Sequence, residues 1–118
     1  MAKRLLSARG LLRPLRLPAQ AAAAGNAQGQ YELGSCYYLG VEGVVQEDEA
    51  AAVKLFLLAA EQQHTGGLFL AADCLFEGTG CEKDQAKAVG MLYAAADRGH
   101  RYARQRIREL LRDSAPGD

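Results

Sequence analysis

The sequence predicts an all-α fold, a short right-handed solenoid of antiparallel helix pairs, and three observations carry that expectation. The first is self-similarity: Tyr31-Glu-Leu-Gly-Ser-Cys-Tyr-Tyr-Leu-Gly40 is echoed by Phe69-Leu-Ala-Ala-Asp-Cys-Leu-Phe-Glu-Gly78. The second is a fixed interval, since Asp48, Ala52, Ala59 and His64 stand 36 residues before Asp84, Ala88, Ala95 and His100. A period in the thirties holding two helix-length segments is the mark of stacked helical repeats. The third is punctuation, because the prolines fall at 14, 18 and 116, outside the repeated body. Such a chain offers a binding surface rather than a reaction centre.

Residues 1–20 read as a basic leader or disordered arm. They hold Lys3, Arg4, Arg9, Arg13 and Arg16 and no acid. Arg9, Arg13 and Arg16 fall at helical spacing, and Leu5, Leu12 and Leu15 gather on another face. An Arg-rich, acid-free and weakly amphipathic segment has the make-up of a mitochondrial or plastid presequence. The same arginines interrupt the apolar run that a secretory signal requires. A plain basic tail and an arm that docks on something acidic are the other two readings.

The solenoid is expected over residues 21–112, with two full repeats and a half-repeat at each end. Ala21-Ala-Ala-Ala-Gly25-Asn26 stands where Ala59 to His64 and Ala95 to His100 stand in the later units. It reads as the last turns of a helix, with Pro18 suited to a first turn and Gly25 to a left-handed stop.

The first helix of repeat one is placed at about Ala27 to Leu39, with Ala27, Tyr31, Leu33, Gly34 and Tyr37 near one stripe. Gly34 in mid-helix costs about 1 kcal/mol against Ala, which close approach of a neighbouring helix would offset; Ala72 holds the matching place. Gly40 and Gly43 turn the chain. Asp48 is a natural N-cap, and Ala52, Leu55, Phe56, Ala59 and Ala60 form the stripe of a second helix that ends near Gln62.

Repeat two follows the same plan. Gly66 to Phe76 is its first helix, Gly78 and Gly80 its turn, Asp84 its cap, and Ala88, Met91, Leu92, Ala95 and Ala96 its second stripe. Gly99 ends it. Arg101 to Arg112 makes one more helix, with Ala103, Ile107, Leu110 and Leu111 as its apolar side, and residues 113–118 are expected to be a disordered tail.

Charge separates these regions. Residues 31–96 carry ten acids against Lys54, Lys83 and Lys87, while residues 97–118 carry six Arg against four acids. No apolar run approaches the roughly 18–20 residues that a membrane-spanning helix needs. Three cysteines without a Cys-x-x-Cys pair indicate neither a zinc site nor a disulfide framework, and no cofactor or metal is expected.

These residues resemble a known family. Gly25 to Val44, with Asp48, Ala52 and Ala59-Ala60, is similar to the Sel-one-like repeat, a relative of the tetratricopeptide repeat. Asp84-Gln-Ala-Lys-Ala88 and Ala95-Ala96-Asp97-Arg-Gly-His100 match the family's Asp-x-x-Lys-Ala and Ala-Ala-x-x-Gly-His pieces more closely still. The resemblance implies a non-enzymatic scaffold, adaptor or small subunit of a larger assembly, as found in endoplasmic-reticulum quality control, mitochondrial assembly and bacterial signalling. Fold membership alone does not name the task.

The departures carry information. Ala51 replaces the family's Lys, Gln63 replaces its closing Gly, and Leu55-Phe56 and Met91-Leu92 replace a larger aromatic pair. Leu57 and Leu58, with Tyr93 at the place of Leu57, stand where the family puts Lys or Arg. They imply an outer face more apolar than a free monomer tolerates, unless the leader packs over it.

Candidate chemistry is thin. His64 and His100 occupy equivalent closing places, as do Cys36 and Cys74, which argues for structure in both cases. Cys81 differs, and a Cys74–Cys81 bridge stays open; relatives rich in cysteine do not place their pairs there. Glu47-Asp48-Glu49 reads as a cap with favourable first-turn charge. Six Arg between 98 and 112 could contact phosphates, but Tyr102 is their only aromatic neighbour, so RNA contact is not expected outside an organellar ribosome.

The concave helical surface is the better candidate for binding a protein partner. In solenoids of paired helices the first helix of each pair lines that side. Its outward positions are Gln28, Glu32, Ser35 and Tyr38, then Leu70, Asp73, Phe76 and Glu77, then Tyr102, Arg106 and Glu109. Tyr38 and Phe76 are matched, and aromatics flanked by charge suit peptide or helix capture. No small-molecule substrate is expected. Localisation reads as mitochondrial, with cytoplasmic as the alternative, and the second functional reading is a cysteine-using redox or assembly factor of the mitochondrial intermembrane space.

Overall fold

The computed structural model describes residues 18–42 and 45–113. Five helices of thirteen residues each follow a short helical stretch at residues 18–23: α1 (Ala27–Leu39), α2 (Glu49–Glu61), α3 (Thr65–Glu77), α4 (Gln85–Asp97) and α5 (Arg101–Asp113). Antiparallel pairs α1/α2 and α3/α4 stack in tandem, α5 packs on α4, and residues 18–23 pack on α1. The expected solenoid is therefore present, with a half-unit before and after the two full repeats. The leader and tail expectations fall almost entirely on residues outside those described, except that residues 18–20 and Asp113 are helical.

Equivalent residues start the helices in equivalent ways. Asp48 and Asp84 accept from the amides of Ala51 and Lys87 at 3.0 and 3.1 Å, satisfying first-turn donors that have no partner within the helix. Their own amides donate to the carbonyls of Tyr37 and Leu75, both at 2.8 Å, which ties each connecting loop to the end of its first helix. The longer loop of repeat one closes through paired backbone hydrogen bonds between Val41 and Val45. The shorter loop of repeat two runs over the start of α2. A Cβ on Gly80 there would lie 2.6 Å from the backbone of Glu49, so glycine is required.

The other helix starts give the histidines their structural role. Asn26, His64 and His100 are the N-caps of α1, α3 and α5, accepting from the amides of Gly29, Gly67 and Ala103 at 2.9, 3.0 and 3.2 Å. The residue just before each cap has positive φ: Gly25 at 86°, Gln63 at 61° and Gly99 at 92°. Gln63 holds a left-handed conformation that costs a non-glycine residue about 1–2 kcal/mol.

The core repeats as well. Phe56 and Leu92, at matched places, are among the largest fully buried side chains. Phe56 lies against Gly34, where an added Cβ would stand 2.8 Å from its ring, while repeat two pairs Ala72 with Leu92. The larger ring thus faces the smaller neighbour, as close-packed interiors demand. On α5, Ala103 and Ile107 are buried and Leu110 half-buried, but Leu111 is 58% exposed, contrary to expectation. Its counterpart Leu75 is covered by α4. Among the described residues, no second helix follows α5 to cover that side.

Candidate functional site

The first helices of successive pairs lie side by side, and their side chains meet directly. Gly66 lets α3 approach α1 so closely that a Cβ there would be 2.8 Å from the Tyr31 ring. Tyr31 packs on His64 at 4.9 Å between ring centres, and His64 Nε2 donates to Gln28 Oε1 at 2.6 Å. One unit on, Phe69 stacks on His100 at 4.5 Å and approaches Tyr102 at 6.4 Å. The two groups, Tyr31 with His64 and Phe69 with His100 and Tyr102, recur one repeat apart along the first helices. Sequence reasoning placed Tyr31 in a buried stripe and overlooked Phe69; the signal available was their matched position five residues after each cap.

A second row runs along the far end of the same helices. Tyr38 is half-buried and leans on Phe56 at 6.1 Å. Burial, then the neighbouring Cys74, then Asp73, Glu49 and Glu47 push its phenol above the ordinary range. Glu47 and Glu49 were assigned only to capping, yet their charge also acts on this phenol. Phe76, Glu77, Arg106 and Glu109 come together as one cluster. The Arg106 guanidinium lies 5.1 Å from the Phe76 ring centre and bonds Glu77 at 3.1 Å and Glu109 at 3.7 Å.

The remaining inner positions are accessible but less connected. Glu32 is exposed and accepts from Gln28, Ser35 bonds the Tyr31 carbonyl, Leu70 and Asp73 are half-buried, and Tyr102 is 64% exposed.

The outer face is different in kind. An open groove of about 350 Å³ lies between α2 and α4, floored by Leu57, Ala60, Leu68, Met91 and Ala94. Leu57 is half-buried within it, whereas Leu58 and Tyr93 are 44% and 45% exposed. Packing of the leader over this face concerns residues 1–17, which lie outside those described.

The histidines and thiols are built into the fold. His64 must be the neutral Nε2–H tautomer, because Nδ1 accepts an amide proton while Nε2 donates. Burial lowers its pKa, partly opposed by Glu32, and burial lowers that of His100. The thiols are free and held above their ordinary range by burial: Cys36, helped by Glu32; Cys81; and Cys74, pushed up to about 12 with help from Cys81, Asp73 and Glu49. Cys81 donates weakly to the Cys74 carbonyl at 3.6 Å. Thiols held protonated are poor nucleophiles. Among the described residues, no three His, Cys, Asp or Glu converge as metal ligands, and no helix is long and apolar enough to cross a membrane.

Known proteins share this arrangement. The Sel1 repeat family model matches residues 27–64 and 67–100. The chain is 37% identical over 76 residues to the chitin synthase regulator SKT5 of Saccharomyces cerevisiae, spanning 64% of this chain but 11% of that protein. Among solved structures, c5321, a protective antigen of uropathogenic Escherichia coli with an SLR fold, superposes with a TM-score of 0.70 at 36% identity, over 75% of this chain and 19% of that one. A Sel1 repeat protein from Oxalobacter formigenes gives 0.74 at 30% identity, over 79% and 26%. Helicobacter pylori cysteine-rich protein B gives 0.72 at 21% identity, over 78% and 68%, a likeness of fold. The chain thus spans a small part of the first relatives it matches. Both matched segments coincide with the two helix pairs described above, and the chain belongs to the Sel1 repeat family, whose members are typically protein-interaction modules.

Proposed function

We propose that this protein is a non-enzymatic adaptor or small assembly subunit that holds a protein partner on the inner face formed by α1, α3 and α5. The observation that carries the reading is the alignment of half-buried aromatics, Tyr38 and Phe76, with charged neighbours on helices already in register. Ordered rings supply contact area at small entropic cost, and charge at their edge supplies orientation. The Arg-rich, acid-free leader favours a mitochondrial location over a cytoplasmic one.

Tyr38→Ala combined with Phe76→Ala tests this. Retention of native partners in affinity purification should fall several-fold while helical circular dichroism keeps its intensity. Unchanged retention refutes the assignment of this face, and lost helicity assigns the rings to the core. N-terminal sequencing of the mature protein tests the location, since a cleaved leader is expected.

A further inference from the structure

Neither α1 nor α3 contains a Lys or Arg, whereas Lys54 and Lys87 lie exposed on α2 and α4. Tyr38 leans on Phe56, and beyond burial and Cys74 the negative charges of Asp73, Glu49 and Glu47 raise its phenol pKa. Among the described residues none of these three carboxylates is ion-paired; the ion pairs there are those of Arg106 with Glu77 and Glu109. The inner face of repeat one therefore offers a ring and acids without an internal cation.

Repeat two shows a related seat occupied: Leu39 holds the place in α1 that Glu77 holds in α3, and the carboxylate common to both seats is Asp73 in one and Glu109 in the other. Phe76 holds the place in α3 that Tyr38 holds in α1, and Arg106 reaches over from the next inner helix. Its guanidinium lies over the Phe76 ring while Nη2 donates to Glu77. The position matching Arg106 one period earlier is Leu70, which cannot supply a cation. The molecule thus displays the kind of group such a seat accepts: a planar cation that stacks on the ring and directs N–H donors to a carboxylate at its edge. Ammonium lacks the planar fork, so arginine fits better than lysine.

We propose that the Tyr38 seat receives an arginine side chain of the partner protein, so that the segment docked on the inner face is arginine-bearing. This rests on the inner face being the partner-binding surface.

The test is fluorescence anisotropy of the full chain with a labelled helical peptide of about twelve residues bearing Arg at every fourth position. Versions with Lys, neutral citrulline or Glu at those places serve as comparisons. The Arg peptide should bind best and weaken as salt rises. Tyr38→Ala and Asp73→Asn should each weaken it about three- to tenfold, Glu61→Gln on the outer helix should not, and Arg106→Ala, which vacates the second seat, should tighten it.

Equal binding of the Glu peptide, or indifference to Tyr38→Ala and Asp73→Asn, overturns the proposal. If wild type binds no Arg peptide but Arg9→Gln, Arg13→Gln, Arg16→Gln together restore binding, the chain's own leader is the occupant and the partner assignment falls. A native partner cross-linked at position 38 through a segment without arginine would also overturn this chemistry while leaving the inner-face reading intact. Cross-linking only from the outer position 58 would overturn both.

Discussion

The histidine caps make stability depend on pH in a direction the structure fixes. His64 and His100 accept amide protons through Nδ1, so protonation removes the acceptor and places a positive charge at the positive end of a helix. Burial lowers both folded pKa values below the unfolded value near 6.5. The unfolded chain therefore binds protons first, and stability, complete above about pH 6.5, is lost as pH falls toward the folded values. At pH 5.5, one unit below the unfolded value, each histidine can cost at most about 1.4 kcal/mol. Loss of one cap costs about 1 kcal/mol, so the two together should remove roughly 1–3 kcal/mol between pH 8 and 5.5. The chain supplies its own control, because Asn26 performs the same capping through an amide that does not titrate. His64→Asn with His100→Asn should flatten the profile over this range, losing the ring contacts with Tyr31, Phe69 and Tyr102 and the hydrogen bond to Gln28 at every pH. Urea unfolding followed by circular dichroism at 222 nm measures both. A double variant that keeps the wild-type slope, or a wild type without slope, refutes the capping account.

Other outcomes follow from single contacts. Gln63→Gly should stabilise by about 0.5–1 kcal/mol in thermal unfolding, because relief of the left-handed strain exceeds the entropy glycine adds to the unfolded chain. Gly34→Ala should destabilise by about 1–2 kcal/mol through overpacking on Phe56, and adding Phe56→Leu should recover part of that, since the pair then copies Ala72 and Leu92. Alkylation at pH 8 under native conditions should modify Cys74 most slowly, as its thiol is buried and its pKa pushed to about 12. The same thiol count, with and without reductant, should give three free groups; a stable pair would support the redox alternative.

Much of the fold was legible because local chemistry and the repeat agree. Asp48, Asp84, Gly25 and Gly99 mark helix ends by capping and left-handed backbone, and α1 begins and ends where Ala27 and Leu39 predict. The histidine caps were not legible, since imidazole is not among the usual N-cap side chains and only the geometry of Nδ1 reveals it. Leu111 was misplaced because periodicity names an apolar stripe without saying whether a neighbour covers it. The choice of residues for the inner face rests on spacing alone. That the charges of Glu47 and Glu49 act on Tyr38 depends on how the loop returns to α2, which no helical period encodes. Arg106 over Phe76 is likewise a contact between residues 30 apart in sequence.

Photo-cross-linking tests the central claim most directly. With benzoylphenylalanine placed in turn at positions 38, 76 and 58 of the full chain, in its native cells, adducts with one protein partner should form from 38 and 76 and be absent from 58. Adducts from 58 alone would move the working surface to the outer groove and contradict the account.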